Sequence, residues 1–434
     1  MKLIRNKGRG VQNASAIIAS LESRGGTSLS KVMPKVERIV AAVRKGGDRA
    51  LLRYAARFDG LAGPAALRVT QEEISAAWSG LDPALREAIT TAAAQIRDFA
   101  EYQLPESFRV STIDGLTTGQ LVRPLAAVGC YVPSGRHPLP STLLMTAIPA
   151  QVAGVRRIVV VSPKPALETL AAAHHLGITE FYRLGGAHAI AALAYGAASV
   201  PRVDKIVGPG NLYVTAAKKL IAFDCASSCA IDMLAGPTEI VVTSERGAAA
   251  DIASDLVAQA EHDPEALAIF ITTHEELARE VIAEATLRSR NNPVARESLN
   301  RNGLAIVAGS VDEARTLTNR IAPEHLTVDT VSDLKWVENA GSVFVGRWSA
   351  QPMGDYISGP NHTLPTGGLA RMRGGLSVND FVKLITVQEY SRKGIVALGP
   401  KAALLADAEG LTGHAEAIRT RLNAKSRRQG RFRG

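Results

Sequence analysis

RIVVVSPKPALETLAAAHHLGITEFYRLGGAHAIAALAY, residues 157–195, decides the fold. A β-branched run at 157–161 precedes an apolar-periodic helix at 166–175; a second short run at 180–184 precedes a second helix at 189–195. The alternation continues outward, with a strand at 205–207 and a helix at 212–221. This pattern predicts parallel strands joined by right-handed crossovers, with helices covering both faces of the sheet. A second series starts at 239–242, with strands at 268–272, 304–307, 326–329 and 342–345 and helices at 275–284 and 312–321. Two such α/β units invite a ligand cleft between them, beyond the strand C-termini.

The flanks read differently. Residues 1–25 form a basic arm with a short helix at 14–21, closed by Gly25-Gly26. Helices follow at 29–44 and 48–57; Thr70 and Glu73 make a capping box for the next. Asp82-Pro83 supplies a cap and a first-turn proline for a long helix to Tyr102. This region reads as mostly helical, without visible chemistry. Beyond Gly374 a helical appendix is expected through 382–390 and 415–422. The domains expected are thus an arm at 1–25, one α/β domain from 26–129 plus 238–374, a second at 130–237, and a C-terminal helical tail at 375–434.

Composition excludes several classes. Apolar residues make up 46% and charged ones 21%, as in ordinary globular proteins. No apolar run approaches about 18 residues, so no membrane span is expected. The N-terminus lacks the apolar core of a secretory signal; Lys2, Arg5, Lys7 and Arg9 read as a solvated basic arm. Of the net charge of +9, all but +2 lies in Arg419, Arg421, Lys425, Arg427, Arg428, Arg431 and Arg433, after the last acid, Glu416. The body is nearly neutral and carries no argument for nucleic acid. Three cysteines, Cys130, Cys225 and Cys229, without a CxxC pair, argue against a disulfide framework and a thiolate zinc site, and fit a cytoplasmic protein.

Chemistry concentrates in a few stretches. In Asp255–Pro264, Gln259 and His262 stand three apart at a helix end, so an amide oxygen and an imidazole can reach one point. Pro264 ends that helix near His262. Glu324-His325 follows Pro323 at the start of a strand, where adjacent side chains face opposite ways and address different atoms. Histidine suits repeated proton transfer near neutrality. Residues 354–362 form a polar loop with Asp355 and His362; Glu409 and His414 flank a Thr412 cap. Together Gln259, His262, Asp355 and His414 make a thiolate-free shell suited to zinc, with manganese or cobalt as alternatives. Gly185-Gly186 and Gly208-Pro209-Gly210-Asn211 each follow a strand and open a helix, the arrangement that cradles phosphate or simply turns the chain tightly. Tyr131 at a strand end either stacks on a base or packs, and Cys130 beside it reads as buried.

At these residues the chain resembles the histidinol dehydrogenase family. The resemblance spans nearly the whole chain through GCYVPSGRHPLPSTLLM, VGPGNLYV, IDMLAGPTEI, DLVAQAEH, APEHL, GDYISGPNHTLPT and EGLTGHAEAIR, in that order. It implies two incomplete Rossmann-like domains in an intertwined homodimer that oxidises L-histidinol through histidinal to histidine with zinc and two NAD in succession. It implies Gln259, His262, Asp355 and His414 as zinc ligands, His414 coming from the partner subunit, and Glu324 and His325 as the catalytic pair. Thr238, His362 and Glu409 match substrate-contacting positions; Tyr131, His188 and Asn211 match NAD-contacting ones. Departures are His188 where the family usually has Gln, Thr238 where Ser is frequent, Ser134 for a usual Gly with Arg136-His137 after it, and an altered segment at 224–229. Two other readings stand beside this: a related zinc and NAD enzyme for another small polar alcohol such as a sulfonated propanediol, and a zinc hydrolase in which Glu324 activates a metal-bound water.

Overall fold

A computed structural model of the chain describes residues 1–6, 11–22, 24, 29–134, 138–225 and 227–424. Lys7 and Arg9, Gly25-Gly26, Arg136-His137 and the basic run from Lys425 lie outside the described residues. The chain divides into two units: Met1–Leu104 with Leu125–Phe381, and Pro105–Pro124 with the residues from Val382 on.

The larger unit contains two parallel sheets. One has five strands in the order Glu180–Tyr182, Arg157–Val161, Ala127–Tyr131, Lys205–Val207 and Ala230–Ile231. The other has six: Lys2–Arg5, Leu304–Val307, Leu267–Thr272, Glu239–Thr243, His325–Val328 and Ser342–Val345. Every ladder in both is parallel. The β-branched runs are continuous, without polar alternation, because both faces of each sheet are covered. In the six-stranded sheet Ile240, Val242 and Phe270 pack towards helices Ala249–Ala260 and Glu275–Arg288. The intervening Val241, Ile269 and Ile271 pack with Ile18, Leu317 and Ile321 on the opposite face. The period of two along each strand therefore sorts the core into two layers.

Four differences from the sequence reading have physical causes. Lys2–Arg5 is not part of a loose arm; it pairs in parallel with Leu304–Val307 at the sheet edge, burying part of an otherwise open ladder. Helix Met33–Tyr54 is expected in the same domain as 238–374, but its stripe of Val36, Ile39, Val40, Val43 and Leu51 shares one core with Val159, Val161, Leu184 and Ile190 of the five-stranded half. Where two helices are expected at 29–44 and 48–57, this one helix runs across a kink at Gly47, whose φ is +50°. The stretch 108–124, to which the sequence reading assigns no element, holds two strands, Phe108–Ile113 and Leu116–Pro124.

A further difference concerns the tail. Val382–Tyr390 is a strand, antiparallel to Leu116–Pro124 along its full nine residues, and Phe108–Ile113 completes a three-stranded sheet. Its Val, Ile and Thr content favours extended backbone once a partner strand is at hand. Helices Arg392–Ala408 and Thr412–Leu422 pack on each other in the same smaller unit. The capping box of Thr70 and Glu73 and the Asp82 cap form as the sequence predicts.

Phe270 sits fully buried in the middle of the six-stranded sheet. Phe270→Ala should lower the unfolding free energy by about 3–5 kcal/mol, read as a drop in the urea midpoint.

Candidate functional site

Sequence alternation decides which side chains meet. Thr238 precedes strand Glu239–Thr243 and shares the face of Ile240; His325 opens its neighbour and lies on the face opposite Leu326. Both therefore point towards helix Ala249–Ala260, whose last turn carries Gln259. In this register His325 stands opposite Ile240. The approach to the pair is set by Ala322, which ends helix Val311–Ile321 in the left-handed region at φ 51° and is followed by Pro323. A left-handed C-cap is usually glycine; a buried alanine there holds a sharp turn under local strain.

The resulting network is dense and buried. Glu324 Oε2 accepts from Thr238 Oγ1 at 2.6 Å and from the Glu239 backbone N–H at 2.7 Å. Gln259 Nε2 contacts the Thr238 hydroxyl and lies 3.3 Å from His325 Nδ1. His325 Nδ1 also lies 3.1 Å from the Glu239 carbonyl and 3.6 Å from Glu324 Oε2; its Nε2 is 3.7 Å from Asp355 Oδ1. Glu324 and His325 thus line one cavity, although the strand start turns their side chains different ways. His362 donates from Nδ1 to the Asp355 carbonyl at 2.8 Å, which leaves its Nε2 as an acceptor. Asp355 and its neighbours are less loop-like than expected, because Gln351–Tyr356 is a short helix.

Burial pushes the Glu324 carboxyl up to about 7, although His325 and the Thr238 hydroxyl favour its ionised form. Burial also works against the His325 imidazolium, but Glu324 and Asp355 outweigh it and its pKa is raised. Burial would raise the Asp355 carboxyl as well; the contact with His325 overrides this and holds it below its ordinary value. For His362 burial prevails and its pKa is lowered. A proton is thus readily exchanged between Glu324 and its surroundings near neutral pH.

These groups line a cavity of about 310 Å³ with Gln259, His262 and the Gly208-Pro209-Gly210 turn. The turn lies at the C-terminal end of a strand of the five-stranded sheet, as expected. Thr238, Glu324 and His325 lie at the N-terminal ends of theirs, contrary to the rule for open parallel sheets. Helix Ala249–Ala260 ends two residues short of His262, which is exposed. Glu409 and His414 belong to the smaller unit, where both are exposed; Leu411, not Thr412, is the N-cap before His414.

A second cavity of about 300 Å³ is bordered by Tyr131, His188 and Asn211 together with Lys35, Phe58 and Asp59. All three expected residues are already engaged. The Tyr131 hydroxyl accepts from Gly186 N–H at 3.2 Å, His188 Nε2 pairs with Asp59 at 2.7 Å, and Asn211 accepts from Tyr213 and Val214 N–H to cap its own helix. Both glycine turns meet carboxylates of the chain itself: Gly185 N–H points to Asp59 at 3.4 Å, and Gly208 N–H donates to Asp232 at 2.8 Å. Gly208, at φ +107°, packs so closely on the Tyr131 carbonyl that a Cβ has no room. Asp232 in turn binds the buried Lys218 at 2.5 Å.

Asp59, Phe58, Lys218 and Asp232 are site residues that no motif announced; Asp232 alone stood within a quoted stretch. Cys130 is buried and its thiol is pushed up to about 12 by that burial, which disfavours the reactive thiolate. Among the described residues no group of three or more His, Cys, Asp or Glu side chains is placed to hold a metal ion. An amide lies outside that count, and Gln259 Oε1 is buried with no hydrogen-bond partner beside His262 and Asp355. An orphaned buried carbonyl is costly unless something answers it.

A family model for histidinol dehydrogenase matches residues 22–422. The histidinol dehydrogenase of Methanothermobacter thermautotrophicus is 43% identical over 417 residues, covering 93% of this chain and 97% of its own. That of Geobacillus kaustophilus is 45% identical over 418 residues, covering 92% and 98%. The crystal structure of histidinol dehydrogenase from Elizabethkingia anophelis superposes with a TM-score of 0.90 at 33% identity, covering 97% of this chain and 98% of that one. On this similarity along nearly its full length, the chain belongs to the histidinol dehydrogenase family.

Proposed function

We propose that the chain oxidises L-histidinol through L-histidinal to L-histidine in histidine biosynthesis, with zinc and two NAD taken up in succession. The observation that carries the reading is the convergence of Glu324, His325, Gln259, His262 and Asp355 on one cavity. Gln259, His262 and Asp355 are the ligands this chain offers to zinc, and the partnerless Gln259 oxygen supports that role. His414 of a second subunit completes the shell. Of the histidine and carboxylate ligands, one copy brings His262 and Asp355 to this cavity, and the reading takes His414 from the second subunit. When bound, zinc supplies an orienting template for the amino alcohol and NAD supplies the hydride acceptor.

The chain's own residues then move the protons. His325 Nε2, facing the cavity, takes the alcohol proton as hydride departs. Glu324 takes a proton from the water that adds to the aldehyde, and a second hydride departs from the resulting gem-diol. His362 Nε2 and Thr238 hold the substrate. The Tyr131, His188 and Asn211 cavity receives the dinucleotide; the committed glycine-turn N–H groups make weak phosphate recognition by backbone the expectation there. We read the two parallel sheets as incomplete Rossmann-like halves and the assembly as an intertwined homodimer. The smaller unit's sheet, with Phe108, Val110, Leu384 and Ile385 exposed, supports that assembly. No helix among the described residues is long and apolar enough to cross a membrane, and the three free cysteines suit the cytoplasm we propose.

Purified protein with zinc should form two NADH per L-histidine from L-histidinol, and a chelator should abolish turnover reversibly. Product without NADH would instead favour a hydrolase, and turnover of another polar alcohol alone a related dehydrogenase. Because Glu324 must be ionised to act as base and its carboxyl is raised to about 7, oxidation of histidinal should lose rate as pH falls below about 7, roughly tenfold per unit. Glu324→Gln should abolish that limb of the profile and cost about 10²–10⁴-fold in rate. His414→Ala should lower zinc content, and mixing it with His325→Ala should restore part of the activity as hybrid dimers form. No recovery despite proven subunit exchange would reject the shared site.

A further inference from the structure

Gln351 has no part in the chemistry just described, yet it is among the most buried polar residues of the chain at 1% exposure. It is the first residue of the six-residue helix Gln351–Tyr356. Its side-chain Nε2 donates to Asp355 Oδ2 at 3.0 Å, while its Oε1 is buried with no partner. The amide orientation follows from its neighbour: turned over, it would set a carbonyl against a carboxylate. With Oδ2 occupied, the other oxygen, Oδ1, is the one near His325 Nε2. The backbone N–H of Gln351 faces the Asp255 carboxylate and favours its ionised form. Asp255 stands four residues before Gln259, one turn away on the same helix face. One residue therefore ties the helix that presents Gln259 to the carboxylate of Asp355.

We propose that Gln351 is a positioning residue for the metal site: it clamps Asp355 Oδ2 and holds Asp355 in register with Gln259, so that Oδ1 is left for the metal. This rests on the reading of Asp355 as a zinc ligand. Two turns of helix would stabilise such a segment poorly, and Gln351–Tyr356 has fewer. Without the clamp the carboxylate is free to rotate. An apolar residue would fill the same space without burying an unpaired carbonyl, so packing alone does not account for a glutamine. Partners of ligating carboxylates act in this way in metal sites generally, by fixing the ligand's direction.

The test is zinc affinity, measured on the full-length protein by competition with a chromophoric chelator, with no turnover involved. Gln351→Met keeps size and removes the donor; Gln351→Glu keeps shape and sets a carboxylate against Asp355. Both should weaken zinc binding, by on the order of 10- to 100-fold, with the larger loss for Gln351→Glu at neutral pH. The visible band of the cobalt(II)-substituted protein should shift in both variants, and the melting temperature of the zinc-free Gln351→Met protein should stay close to that of the parent. Unchanged zinc affinity and an unchanged cobalt band in both variants, while Asp355→Asn loses zinc, would overturn the role of Gln351 and leave the ligand set standing. Zinc affinity unchanged in Asp355→Asn as well would remove the ligand assignment and this role together.

Discussion

The site depends on the pairing of two adjacent parallel strands, Glu239–Thr243 and His325–Val328, with His325 opposite Ile240. That register brings the residues just before each strand side by side, so that Glu324 accepts from Thr238 and from the Glu239 backbone. A slip of one residue would turn His325 away from Gln259 and send each apolar side chain of the strand into the core layer on the opposite face, where it does not fit. Hydrophobic burial of Val241, Leu326 and Val328 therefore enforces the spacing of groups that contribute nothing to the core. The same ladder that gives the unit its stability gives the polar cluster its geometry.

The electrostatics follow from where that ladder ends. Strand ends at the junction of the two halves are shielded from water, and Glu324 and His325 are both nearly fully buried. Three other acids of the larger unit meet a cation: Asp232 has Lys218, Glu239 has Arg24, Asp380 has Lys205. Glu324 has only an imidazole and two hydrogen-bond donors, and its carboxyl is raised accordingly. A full ion pair would make the residue a better structural element and a poorer base. Burial without a permanent counter-charge is what distinguishes it from the other three.

Much of the fold was legible because parallel strands covered on both faces carry an uninterrupted β-branched signal. Arg157–Val161, Lys205–Val207, Leu304–Val307 and Ser342–Val345 fall where the sequence places them. The three-stranded sheet was not legible. Phe108–Ile113 and Val382–Tyr390 are largely exposed, so neither carries a clean alternation, and Val382–Tyr390 pairs with Leu116–Pro124 from more than 250 residues away. The attachment of Met33–Tyr54 to the five-stranded half was hidden for a similar reason. An amphipathic helix declares which face it buries, not which of two available cores receives it.

At the site, residue types and spacing singled out Gln259 with His262, Glu324 with His325, and Asp355 with His362, because glutamine, histidine and acids beside prolines and glycines stand out from an alanine-rich background. What the tertiary structure alone decided was their relations: that Glu324 and His325 share a cavity, that Asp59 and Asp232 answer the glycine turns, and that Gln351 grips Asp355. The order of residue types along a chain records local geometry within a turn or a strand. Distances between segments a hundred residues apart arise only when burial forces them together, and it is those distances that determine which groups can exchange a proton or hold an ion.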